Sequence, residues 1–282
     1  MNFLLHRHLA FAALGSEAAG IGAMLPDLWR MADRRVRPAP AALAAEALGD
    51  ADDATRDVMR GIEHHLEADL WFHDADVFTL GERATAAALR GAGTSAKKLT
   101  LFAHPLWEMC LDGALVRRLG AEVVRAAVER GFSLAAHAIR RAAHAHHFAH
   151  VESRSDRAAT TPLVSADPDA EPDAASDPAD ALHTRMEWIA AELSRGPWIE
   201  GYSRPDGLVR GLAGMRRRFA LPPFSDEERD RLTAAIAPLA GRADAAVEEI
   251  LARPPSAPSA PSAPPAPSAP PAPSAPDTAI NR

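Results

Sequence analysis

The sequence predicts an all-α protein, a compact multi-helix array around one core, and three observations carry that expectation. Alanine and arginine dominate, while Val, Ile, Thr and Tyr, which suit a pleated sheet, are sparse and rarely alternate with polar neighbours. Apolar residues recur at spacings of three and four, as in Leu182, Met186, Ile189 and Leu193 and again in Leu232, Ile236 and Leu239, which gives each helix one stripe to bury. The chain has 282 residues, 47% hydrophobic and 24% charged, enough to enclose one substantial core.

In chain order the pattern places helices near residues 3–15, 17–32, 40–48, 52–78, 80–91, 95–112, 114–129, 132–150, 180–195, 205–215 and 225–251. Pro26, Pro105 and Pro197 should mark helix starts or kinks, because proline lacks an amide proton and crowds the preceding turn. Between about 153 and 180, acidic residues, prolines and alanines recur without a helical stripe, which reads as a disordered insertion within a helical domain spanning residues 1–251. Residues 252–282 are mostly Pro, Ala and Ser and read as a disordered tail with no apolar groups for a core.

Composition also limits function. The single cysteine, Cys110, cannot form an internal disulfide and sits in an apolar run. His6, Arg7 and His8 interrupt the apolar opening, so it reads as the first helix of a cytoplasmic protein rather than a secretory signal. No stretch approaches the roughly 18–20 apolar residues of a membrane span. A net charge of −7 opposes general nucleic-acid affinity. No nucleophile elbow is present, and Gly20-Ile21-Gly22 is too short for a phosphate loop.

Histidines and carboxylates carry the chemistry. His65, Asp69 and His73 stand four apart, so one helix face aims two imidazoles and a carboxylate at a common point, and His104, Glu108 and Asp112 repeat the arrangement. Mixed nitrogen and oxygen ligands suit Mn, Fe or Zn rather than calcium. Such pairs also occur on solvated faces, but Trp71, Phe72, Leu106, Trp107 and Leu111 beside them point to at least partial burial, where charges need a partner or a metal. The run His137, His144, His146, His147 and His150 lacks an accompanying carboxylate and reads as partly exposed helical histidines.

Beyond spacing, Met1-Asn2-Phe3-Leu4-Leu5-His6 followed by Gly20-Ile21-Gly22 and Asp27 resembles the start of the bacterial acyl carrier protein phosphodiesterase family. Gly61-Ile62 through His65 and Asp69 resembles that family's Gly-Ile-x-x-His-x-x-x-Asp helix. Trp198-Ile199-Glu200-Gly201-Tyr202 and Gly214-Met215-Arg216-Arg217-Arg218 look like its late segments. The resemblance implies an HD-like helical fold, a manganese-type ion, and hydrolysis of the phosphodiester joining 4′-phosphopantetheine to a serine of acyl carrier protein, a step of lipid metabolism. By position it implies Asp27, His65 and Asp69 as metal ligands, with His6 beside them, and His104 could add a further ligand. Glu108 would orient or deprotonate water, and His6 or His73 would orient ligands. The chain departs from the family pattern where Asp-x-x-x-Asp-His becomes His104, Glu108 and Met109, and where His73 replaces an aspartate. Met109 cannot replace a histidine as ligand or proton carrier. Two other readings stand beside this one: a non-catalytic binding module on the same fold, and a metal-dependent hydrolase of another small phosphoester. Arg204, Arg210, Arg216, Arg217 and Arg218 form a basic segment onto which an acidic carrier protein could dock.

Overall fold

The computed structural model describes residues 2–32, 51–151 and 178–253, and among these it contains helices and no strand. The helices are α1 Phe3–Leu14, α2 Glu17–Ala32, α3 Asp53–Asp74, α4 Asp76–Gly91, α5 Ala96–Leu119, α6 Ala121–Val151, α7 Pro178–Arg195, α8 Trp198–Tyr202, α9 Pro205–Arg218, α10 Asp226–Ile236 and α11 Leu239–Ala252. The all-helical array expected from composition is therefore what forms. The helix expected at 40–48, most of the acidic segment and all but the first two residues of the tail lie outside the described residues.

Local chemistry sets several helix ends. Gly15, in the left-handed region at φ 68°, closes α1 and lets the chain turn into α2. Asp52 caps α3 by accepting from the Thr55 amide at 2.7 Å. Ser225 and Glu228 form a reciprocal capping box at α10.

Three expected boundaries move, each for a visible reason. The break expected near residue 113 is absent because Gly113 serves close packing: a Cβ there would sit 1.9 Å from the Tyr202 carbonyl oxygen. Gly131, near a second expected break, likewise lies inside α6 against Ile21. The real break is Gly120, whose φ of 87° suits glycine. Ala75, in extended backbone, splits the expected 52–78 helix into α3 and α4, and Pro238 separates α10 from α11. Pro26 and Pro105 lie inside α2 and α5 rather than at their starts, whereas Pro197 does precede α8, a short helix absent from the sequence reading.

The most extensive helix contact joins α2 and α3. It is glycine-mediated in both directions: a Cβ on Gly22 would fall 2.1 Å from the Val58 carbonyl oxygen, and one on Gly61 would fall 2.0 Å from that of Ala19. Backbone therefore lies on backbone. Around this pair Phe3, Trp29, Phe72, Phe78 and Trp107 are fully buried, each contributing roughly 1.5–3 kcal/mol by removal from water. Cys110 is buried among them, and burial pushes its thiol up to about 12.

The docking of α1 is polar. Asp112 of α5 is completely buried and accepts hydrogen bonds from the Leu4 and Leu5 amides at 3.2 and 2.9 Å, two of the first-turn donors that a helix leaves unpaired. Burial pushes the Asp112 carboxyl well above its ordinary range, against the opposing pull of these amides. Asp112 thus fixes α1 rather than completing the His104, Glu108 row.

Gly61→Ala should lower stability by about 1–3 kcal/mol through steric overlap with α2, measured by urea unfolding. An unchanged midpoint would mean that the two backbones separate freely.

Candidate metal centre

The α2–α3 approach places His65 against α2, where its Nδ1 donates to the Ala23 carbonyl at 2.8 Å. A carbonyl only accepts, so the proton is on Nδ1 and Nε2 is left bare. One turn further along α3, Asp69 presents Oδ2 at 3.6 Å from that nitrogen. From α1, His6 brings Nε2 to 3.1 Å from Asp69 Oδ1, and its ring lies 4.1 Å from the ring of His65. Although that 3.1 Å is short, the alignment is not that of a hydrogen bond, and both His6 nitrogens are buried without a hydrogen-bond partner among the described residues. From the last turn of α3, His73 approaches the same carboxylate with Nε2 3.4 Å from Asp69 Oδ1.

Asp69 is thereby surrounded by three imidazoles. Burial opposes its charge, but the contacts from His6 and His73 and the field of His65 outweigh that and hold it well below the ordinary carboxylate range. His65 is pushed down to about 4, by burial first and by the neighbouring His6 second, so it is neutral at physiological pH, as a metal ligand must be.

A second cluster adjoins the first. His73 stacks on His104 with ring centres 4.8 Å apart, and Phe78 stands edge-on to both rings. His104 Nε2 lies 3.4 Å from Glu108 Oε1, and His104 Nδ1 lies 3.7 Å from Glu82 Oε2. The contact with Glu108 raises the His104 pKa, with burial opposing. Gly81 makes this geometry possible, since α4 packs so closely on α5 that a Cβ there would overlap the Trp107 ring, which sets the adjacent Glu82 beside His104.

Both clusters border a cleft of about 400 Å³ lined by Asp27, Asp69, His73, His104 and Glu108, with Arg30, Arg218 and Phe219 also in its wall. Asp27, one helical turn beyond Ala23, acts electrostatically on His65.

The donor set fits a divalent first-row ion. Two ligands at about 2.1 Å from one ion and at octahedral or tetrahedral angles lie about 3.0–3.4 Å apart. Of the contacts to Asp69, those at 3.1 and 3.4 Å fall within that range and the one at 3.6 Å lies just beyond it. The ligand atoms of His6, His65 and Asp69 all lie within 4.8 Å of one another, as do those of His73, His104 and Glu108.

Of the residues singled out in the sequence, Asp27, Asp69, His73, His104 and Glu108 line one cleft, and His65 and His6 stand behind Asp69. His6 and His73 each belong to a group whose ligand atoms could hold an ion, and His104 groups with Glu108 and His73 rather than with His65. Arg216 does not join a basic surface: it is buried, donates to the Pro222 carbonyl at 2.6 Å and lies 4.2 Å above the Phe224 ring. Arg204 and Arg210 both pair with Asp206, which leaves Arg217 exposed and Arg218 in the cleft wall. His137 is exposed, while the side chains of His144, His146, His147 and His150 lie outside the described residues. Sequence reading missed Glu82 and Arg30. Gly81, a helix-interior glycine beside a carboxylate, was the available sign of the first.

No family model matches the chain, and no curated protein or solved structure matches it. Among the described residues no helix is long and apolar enough to cross a membrane.

The His65 shift sets a pH dependence. An unfolded histidine takes up a proton near pH 6.5, whereas His65 in the folded chain does so only near about 4, so the unfolded state binds more protons between those values. Stability of the metal-free protein should therefore fall as pH drops from about 6.5 to 4, by on the order of 3 kcal/mol, and Asp69 extends the loss below that. His65→Gln should remove the upper part of this slope in denaturant melts at stepped pH. An unaltered slope would assign the titration elsewhere.

Proposed function

We propose that this chain is a metal-dependent phosphodiesterase that releases 4′-phosphopantetheine from holo acyl carrier protein. The observation that carries the metal-dependent part is Asp69, an ionised carboxylate touched by three imidazoles at the edge of an open cleft. His6, His65 and Asp69, with Asp27 close by, are the residues that would hold the ion. Manganese follows from the family resemblance, and the imidazole-rich donor set also suits Fe or Zn. The chemistry such an ion supplies is polarisation of a phosphoryl oxygen and acidification of water.

The chain's own groups do the positioning. Ala23 holds His65 in the tautomer that leaves Nε2 bare, and Asp112 holds α1 so that His6 meets Asp69. Arg30 and Arg218 in the cleft wall offer charge for the phosphodiester, and Met31, Leu101 and Phe219 provide apolar surface for the pantetheine arm. The acyl carrier protein itself is supported by the sequence resemblance and by the exposed Arg217 beside the cleft residue Arg218, which suits an acidic partner.

Holo acyl carrier protein incubated with the full chain and Mn should lose its prosthetic group, read by intact mass, and Asp69→Asn should slow that loss at least about 100-fold. Arg217→Glu with Arg218→Glu should weaken carrier-protein binding most at low salt. No mass loss with Mn, Fe or Zn would reject this substrate.

A further inference from the structure

We propose that His73, His104 and Glu108 bind a second divalent cation beside the first, making the cleft a two-ion centre. The inference rests on the reading that His6, His65 and Asp69 hold one ion. Three features of the second cluster carry it.

The donors form a set of their own. Their ligand atoms lie within 4.8 Å of one another, and His73, whose Nε2 stands 3.4 Å from Asp69 Oδ1, joins them to the first cluster. His73 therefore faces the first cluster with one nitrogen, and its Nδ1 is out of reach of solvent with no hydrogen-bond partner among the described residues. A buried imidazole nitrogen without a partner is costly unless a hydrogen-bonding group or a cation meets it.

His104 is oriented as a ligand. Its Nε2 lies 3.4 Å from Glu108, and its Nδ1 lies 3.7 Å from Glu82, too far for a hydrogen bond but near enough for the Glu82 charge to favour a proton on Nδ1, which leaves Nε2 to coordinate. Glu82 is thus a positioning residue.

The rings are fixed before any ion arrives. His73 and His104 are stacked at 23°, with Phe78 edge-on to each, so little side-chain freedom remains to be lost on binding. Glu108 is only 6% exposed, unlike the carboxylate of an ordinary solvated i, i+4 pair. Two adjacent ions suit a phosphoryl group whose oxygens are shared between them. Glu108 then serves as a ligand, not as the group that orients or deprotonates water.

Metal-stripped full-length protein, titrated with Mn(II) by calorimetry and counted by elemental analysis after desalting, should hold about two equivalents per chain. Electron paramagnetic resonance should show a pair of coupled ions. His104→Gln with Glu108→Gln should hold about one equivalent and give a single-ion spectrum, and Glu82→Gln should weaken the second equivalent about 10-fold. His104→Gln alone, at a half-exposed position, serves if the double variant melts early. One equivalent in the unaltered protein, with phosphodiesterase activity intact, overturns the second ion and leaves the proposed function standing. Two equivalents retained by the variants place the second ion elsewhere and overturn the assignment. No bound metal at all removes both.

Discussion

The centre depends on how closely two helix backbones approach. Gly22 and Gly61 let α2 and α3 touch main chain to main chain, and only at that separation can the Ala23 carbonyl reach a side chain of the neighbouring helix. From that one contact follow the tautomer of His65 and the direction of its free nitrogen. The position of Asp69 one turn along and the nearness of Asp27 one turn beyond Ala23 follow as well. A methyl group at either glycine would act on all of these together, although neither glycine touches the cleft.

The same helices gather charge where burial opposes it. A partly buried carboxylate is stabilised here by imidazoles, two of which are buried and one of which is shared with a second cluster. Each histidine has one nitrogen fixed or hidden by protein and one turned toward a carboxylate. That division of labour separates this cluster, whose donors could hold an ion, from a row of solvated side chains.

Much of the fold could be read in advance, because periodicity and composition report which face a helix buries. The stripes Leu182, Met186, Ile189, Leu193 and Leu232, Ile236, Leu239 are all buried as the spacing required. Glycine misled in both directions. Gly113 and Gly131 looked like breaks but are points of close packing, while Gly120, indistinguishable from them in sequence, has the conformation that ends a helix. The row Asp69, His73 and the pair His104, Glu108 were legible because four-residue spacing survives folding. Asp112 was not, since the same spacing carries no information about which neighbour the next turn faces, and here it faces the amides of α1. Arg216 shows the limit for surface charge: three successive arginines look alike in sequence, yet only tertiary contact with Phe224 and the Pro222 carbonyl draws one of them inside.

Cys110 lies on α5 between Glu108 and Asp112, yet it belongs to the core. Its thiol is screened from solvent and far from ionising at neutral pH, so it offers no thiolate to peroxide, to alkylating reagents or to a soft metal. Purification and storage can therefore proceed without thiol reductants, which themselves chelate transition metals. A fluorophore attached through a newly introduced surface cysteine would report from that position alone.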